Sequence, residues 1–171
     1  MATAKPLYDA GKTITMDVSS LATSSTFVAG LESGEIDNTS NRFMDAIVNV
    51  AGINGHASTA PTVGQMIRLF VWGGGVSLAT TPIDTLDGTS SGETLSHVSV
   101  LNSLHEVPAA VVTVATANLK YYFQPFSVCE ILGLRVLPRF WGLFLAHNHT
   151  GALAGSQPGL FTYDGVHYDI A

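Results

Sequence analysis

His147 and His149 are the first residues in this chain whose type and spacing could do chemistry. Two residues apart in a strand, they would share a face. That face could offer two metal ligands, with His105 or His167 to complete a set. A structural zinc site needs a specific four-ligand set. No carboxylate adjoins the pair, and the chain's single cysteine, Cys129, is remote in sequence. The plainer reading is two polar side chains flanking the turn Asn148-His-Thr-Gly151.

The loop Asp84-Thr-Leu-Asp87-Gly88-Thr-Ser-Ser-Gly-Glu93 has some of the oxygens of a calcium loop. With Gly88 at the required turn glycine, Ile83 and Thr94 fall where carboxylates are needed. The pattern is that of a solvated, turn-rich loop. Glu32, Glu35 and Asp37 cluster with Asp45 on a following strand. Acid–base carboxylates need a pocket that drives their pKa values apart, and no nucleophile accompanies these. There is no His-Glu-x-x-His motif, and Gly73-Gly-Gly75 leads into Val-Ser-Leu rather than a phosphate-binding helix start. Cys129 lies in the apolar run 126–132 and reads as a small buried hydrophobe. The expectation is a protein that is not an enzyme and uses no metal or cofactor.

Aromatic residues crowd the C-terminal half: Tyr121, Tyr122, Phe123, Phe126, Phe140, Trp141 and Phe144. Most of them suit a core. Tyr121 and Tyr122 are adjacent and must face opposite sides of a strand, so one of them, Tyr121, is a candidate surface contact.

The elements that must position these residues are strands. Charged residues make up only 12% of the chain and hydrophobic ones 46%, against a usual charged share of about 25%. Seventeen glycines, with many Ser and Thr, fit short strands and frequent turns. Strand signals fall at 13–18, 25–30, 42–50, 65–72, 96–103, 109–115, 120–126, 129–136 and 139–147. A last pair, 161–163 and 166–170, is joined by Asp164-Gly165 as a two-residue hairpin turn. The longest irregular region, 73–95, reads as functional or mobile. Eight to ten short strands imply an all-β fold, a jelly-roll-like antiparallel sandwich in preference to an immunoglobulin one. Residues 1–24 read as an N-terminal arm and 25–171 as one β domain. Within the arm, alternation at 13–18 suits a strand on this sheet or on a neighbour's.

Charge excludes one class of partner. The net charge is −6, and the seven basic residues are scattered, whereas nucleic-acid binders cluster theirs. No apolar run is long enough to span a bilayer. Neither direct nucleic-acid binding nor a membrane is expected. The N-terminus has no secretory h-region, which implies synthesis in a cytoplasm.

Two stretches carry a family resemblance. One is Ser20-Leu-Ala-Thr-Ser-Ser-Thr-Phe-Val-Ala-Gly-Leu-Glu-Ser33 with Asp37-Asn-Thr-Ser-Asn-Arg-Phe-Met-Asp-Ala-Ile-Val48. The other is Leu137-Pro-Arg-Phe-Trp-Gly-Leu-Phe-Leu-Ala-His-Asn-His-Thr-Gly-Ala-Leu-Ala154 with Phe161-Thr-Tyr-Asp-Gly-Val-His-Tyr168. From about residue 12 onward the chain resembles small virion proteins of tailed bacteriophages. The resemblance implies a jelly-roll-like cement or decoration protein on the capsid surface. Its partners would be the major capsid protein and further copies of itself, as a dimer or trimer. Contacts are then expected from the arm, at Lys5 and Tyr8, and from the long loop, at Thr80, Asp84 and Asp87, together with Tyr121. A tail, neck or head-fibre adaptor and a glycan-binding module for host attachment are the alternatives.

Overall fold

The computed structural model describes residues 4–155, 157 and 159–170. The first three residues of the expected arm, and Ser156, Pro158 and Ala171 of the expected domain, lie outside these. Twelve strands and two single-turn helices make up the described fold. In β4 (Asp45–Val50) burial alternates residue by residue, with Ala46, Val48 and Val50 inward, as period-two patterning dictates. β6 (Met66–Gly74) and β11 (Phe140–His147) are nearly continuous apolar runs and are buried on both faces.

All ladders are antiparallel. One sheet has the order β1 (Ala4–Thr13), β12 (Phe161–Ile170), β4, β10 (Phe126–Ser127). The second has the order β7 (Gly92–Thr94), β2 (Ala29–Glu32), β11, β6, β8 (His105–Val111), with β3 (Ile36–Asp37) also on β11. A small third sheet pairs β5 (Ile53–Asn54) with β9 (Lys120–Tyr121). Four of the ladders are nested: β6 with β8, β4 with β10, β2 with β11, and β1 with β12.

The described residues form two apolar cores. The first lies between the sheets, where Ala46, Val48, Phe161 and Tyr163 of one meet Ile67, Leu69, Trp141, Leu143 and Leu145 of the other. Trp141 and Tyr163 cross edge to face at 5.2 Å. The second covers the far face of the β11 sheet, where Phe70, Trp72, Phe144 and Ala146 pack under Leu78, Leu86, Leu95, Leu101 and Leu104. Gly142 is required between Ser33 and Trp72, because a Cβ there would stand 2.5 Å from the Trp72 ring.

Several expectations are corrected. The region 73–95 is a lid on the second core rather than a free loop. Residues 96–103 and 129–136 each contain one helical turn instead of a strand: α1 (Val98–Leu101) and α2 (Val128–Leu132). His97 caps α1 by accepting from the Ser99 N–H at 3.1 Å. Ser127 caps α2 by accepting from the Glu130 N–H at 2.9 Å, and Gly133 closes it at φ 66°. β2 begins only at Ala29, because Ser24 to Phe27 forms a turn.

Asp164-Gly165 is no hairpin turn, for β12 runs straight through it. Gly165 is there because the Phe43 ring lies 2.5 Å from where a Cβ would be. Asp164 is there because its carboxylate accepts from the Gly11 N–H at 2.8 Å, holding a bulge in β1. Nor is 1–24 a separable arm. Ile14, Met16 and Val18 are 1%, 3% and 0% exposed in the main core, so of the described arm residues it is 5–11 that project.

Candidate functional site

β1 is an edge strand, and it pairs with β12 from Ala4↔Ile170 to Thr13↔Thr162 around the Gly11 bulge. Residues 5 to 11 are exposed on both faces. The first half of β1 and the last half of β12 therefore form a two-stranded ribbon whose β1 strand stands clear of the core. Leu7, Tyr8 and Tyr168 are 42%, 62% and 57% exposed. Pro6 and Tyr168 are directly opposed, with Tyr8 on the same face; Lys5, Leu7 and Asp9 occupy the other face, Leu7 across from His167. Lys12 closes the ribbon's base by pairing with Asp9 at 2.9 Å and lying 5.5 Å from the Phe43 ring. Two of the sequence-predicted contacts, Lys5 and Tyr8, stand here.

Thr80, Asp84 and Asp87 stand exposed on the rim of the lid. Asp84 accepts from the Ser96 N–H, and Asp87 from the Thr89 N–H. They are on the far side of the second core from the ribbon's sheet. Tyr121, the sixth candidate, is not a surface residue. It is 8% exposed and meets the His149 ring edge-on at 4.8 Å. Its neighbour Tyr122, at 64% exposure, is the outward ring. The alternation was legible, but the phase was set by Ile53 pairing with Tyr121 across β5–β9.

The carboxylates considered for acid–base work hold backbone instead. Glu32 is 0% exposed and accepts from the Asp87 and Gly88 N–H groups, both at 3.0 Å. Glu35 accepts from the Ser77 hydroxyl at 2.6 Å and the Leu78 N–H at 2.7 Å. Asp37 caps the turn at Thr39, and Asp45 takes the Ser127 hydroxyl and the Cys129 N–H at the start of α2. Burial pushes the Glu32 carboxyl up to about 7, opposed by its two N–H donors and reinforced by Asp87 and Glu93. Glu32, Asp87 and Glu93 bring oxygens close enough together for a cation, but each of the three already accepts a hydrogen bond. Gly88-Thr-Ser-Ser-Gly92 has the Gly-x-Ser-x-Gly spacing of a hydrolase nucleophile turn. It runs into β7, not from a strand into a helix as that motif requires.

The histidine pair is buried rather than flanking a solvated turn. His147 ends β11 at 0% exposure, with Nε2 2.8 Å from the Leu21 carbonyl and Nδ1 accepting from the His149 N–H. His149 is 2% exposed and lies 5.4 Å from His147, ring to ring. Burial, and then His147, lower His149 to about 4; burial also lowers His147. Two neutral rings in an apolar setting result. His105 is exposed on β8 and His167 packs against Phe43 at 6.2 Å, so neither completes a ligand set with the pair. Cys129 is buried as expected, and its thiol is pushed up to about 12 by burial and by Asp45.

Among the described residues no helix is long and apolar enough to cross a membrane. Comparison with protein families, with characterised proteins and with solved structures finds no match to this chain.

Proposed function

We propose that this chain is a structural protein of a tailed-phage virion, a cement that binds the major capsid protein and clamps neighbouring subunits against the pressure of packed DNA. The observation that carries a contact role is the projecting ribbon, whose Leu7, Tyr8 and Tyr168 are offered to solvent side by side, while most large apolar residues of the other strands are buried on two cores. The capsid placement is supported by the resemblance of residues 12–171 to phage virion proteins. The nested ladders also support a jelly-roll reading: a long antiparallel ribbon rolled into two facing sheets gives the orders β1-β12-β4-β10 and β2-β11-β6-β8. A cement adds binding energy across subunit joints, which asks for a rigid body with few charges to desolvate and contacts on projecting parts.

Purified protein mixed with mature, tailless heads is expected to cosediment to saturation, at a copy number that follows shell symmetry. Recovery in tail fractions alone overturns the capsid placement and favours a tail, neck or head-fibre adaptor. One observation favours the glycan reading. Tyr122 lines a cleft of about 360 Å³ with Gln124 and Glu130. Saturable binding on a sugar array, lost in Tyr122→Ala, would replace the cement reading.

A further inference from the structure

We propose that the open edge of β1 pairs antiparallel with β1 of a second copy of this chain, in the register that sets Leu7 against Leu7. Backbone direction comes first. Val166 gives its carbonyl to the Met44 N–H at 2.7 Å, towards β4, and Phe161 gives its carbonyl to the Ile14 N–H at 3.0 Å, towards β1. By alternation along β12, residues 165 and 167 face β1, while 166 and 168 face β4. Leu7–His167 and Asp9–Gly165 are then the hydrogen-bonded pairs of the β1–β12 ladder. Pro6 and Tyr8 turn their backbone groups to the open edge. Pro6 has no N–H to give, which suits that position.

The side chains then select one register. With Leu7 on the twofold axis, Lys5 of each copy opposes Asp9 of the other. These are the close, non-hydrogen-bonded positions, where opposed side chains interact most strongly, at about 4.5–5.5 Å between Cβ atoms. Each Tyr8 N–H meets a Pro6 carbonyl. An axis on Lys5 or on Asp9 opposes like charges. An axis on Pro6 sets Lys5 against Leu7 and places two residues without donors at the centre. An axis on Tyr8 sets Leu7 against Asp9. In the single chain Asp9 is paired with Lys12, and its side chain is 49% exposed, so oxygen remains for Lys5. The Gly11 bulge ends the ladder, and a twofold contact uses up the edge it forms on, so assembly stops at two.

The inference deepens the reading of the ribbon as a contact element. Capsid binding is measured separately, so self-association without capsid binding removes the cement reading and leaves this one standing. Leu7→Cys tests the register, since native Cys129 is buried. Under mild oxidation it is expected to form a disulfide-linked dimer at least about tenfold faster than Val63→Cys, a site exposed elsewhere. Equal rates overturn the register. Tyr8→Pro removes the outward N–H and leaves the β1–β12 ladder intact. It is expected to weaken dimerisation in sedimentation about tenfold or more with an unchanged circular dichroism spectrum; unchanged dimerisation overturns the proposal. Lys5→Glu is expected to weaken the dimer about tenfold, and Lys5→Glu with Asp9→Lys to restore it. Failure to restore it overturns the charge pairing. A wild-type chain that stays monomeric at about 1 mM overturns the whole proposal.

Discussion

The outer face of the β11 sheet carries Phe70, Trp72 and Phe144, and the chain covers them with the lid 73–95 and the segment that follows it to Leu104. The edge of the β12 sheet carries Leu7, Tyr8 and Tyr168, and these remain 42–62% exposed. Both regions present large apolar side chains. The lid is fixed by the carboxylates of Glu32 and Glu35 on backbone N–H groups, a strong kind of hydrogen bond. The ribbon is fixed by one ladder, by the Gly11 N–H on the Asp164 carboxylate and by one exposed ion pair, and exposed ion pairs contribute little. The difference separates surface needed for stability from surface available to a second molecule.

Leu86→Ala should break this comparison most sharply if it is wrong. Leu86 is fully buried in the second core, so a loss of about 2–5 kcal/mol is expected in urea unfolding. A loss near that of a surface site would show that the lid is not core.

The pH dependence of stability comes next, and it sets the buried histidine against the buried lid carboxylate. His149 has its folded pKa lowered from 6.5 to about 4. The unfolded chain binds the extra proton between those values, so this group's stability is full above pH 6.5 and lost as pH falls towards 4. Glu32 has its folded pKa raised from 4.5 to about 7. Its contribution is full below pH 4.5 and lost as pH rises through 7. Each amounts to roughly 3 kcal/mol across its window. Their slopes oppose each other between pH 4.5 and 6.5. In His149→Phe, stability should fall with rising pH in that window; in Glu32→Gln it should rise. Unfolding midpoints across pH read both slopes, and no change of slope in either variant would refute the burial argument.

Glu35→Gln weakens one anchor of the lid. A loss of roughly 1–3 kcal/mol is expected, with faster hydrogen exchange at the Leu78 amide. The smallest effect belongs to the ribbon. Tyr8→Ser should change stability by less than about 0.5 kcal/mol while reducing binding to phage heads. A large loss of stability would place Tyr8 among the packed residues.

The strands whose pattern is local were legible. Asp45–Val50 alternates, and the apolar runs in β6 and β11 are too continuous for any but doubly buried strands. Single-turn helices were not legible, because four or five residues carry no period. Their only signs were the caps, and Ser127, Glu130 and Gly133 did mark α2. The lid was hidden for a related reason. Leu78, Leu86 and Leu95 recur at no fixed spacing in Ser, Thr and Gly surroundings, and their partners Phe70 and Phe144 are distant in sequence. Lys5 and Tyr8 could be placed on an exposed segment from polarity, but not on an edge strand, since that depends on β12. Burial of Tyr121 depended likewise on β5.

Nested pairing also orders assembly in time. β6 and β8 are separated by the shortest of the four loops, and short loops close at the lowest entropic cost. By the same argument the outer pairs cost more to close, β1 with β12 the most. On the ribosome β1 is made before β12, so the strand that is open in the folded chain is open on both edges until β12 emerges. Lys5, Pro6 and the Gly11 bulge are the features that restrain such a strand from pairing at random. The same three residues leave it with few ways to pair afterwards.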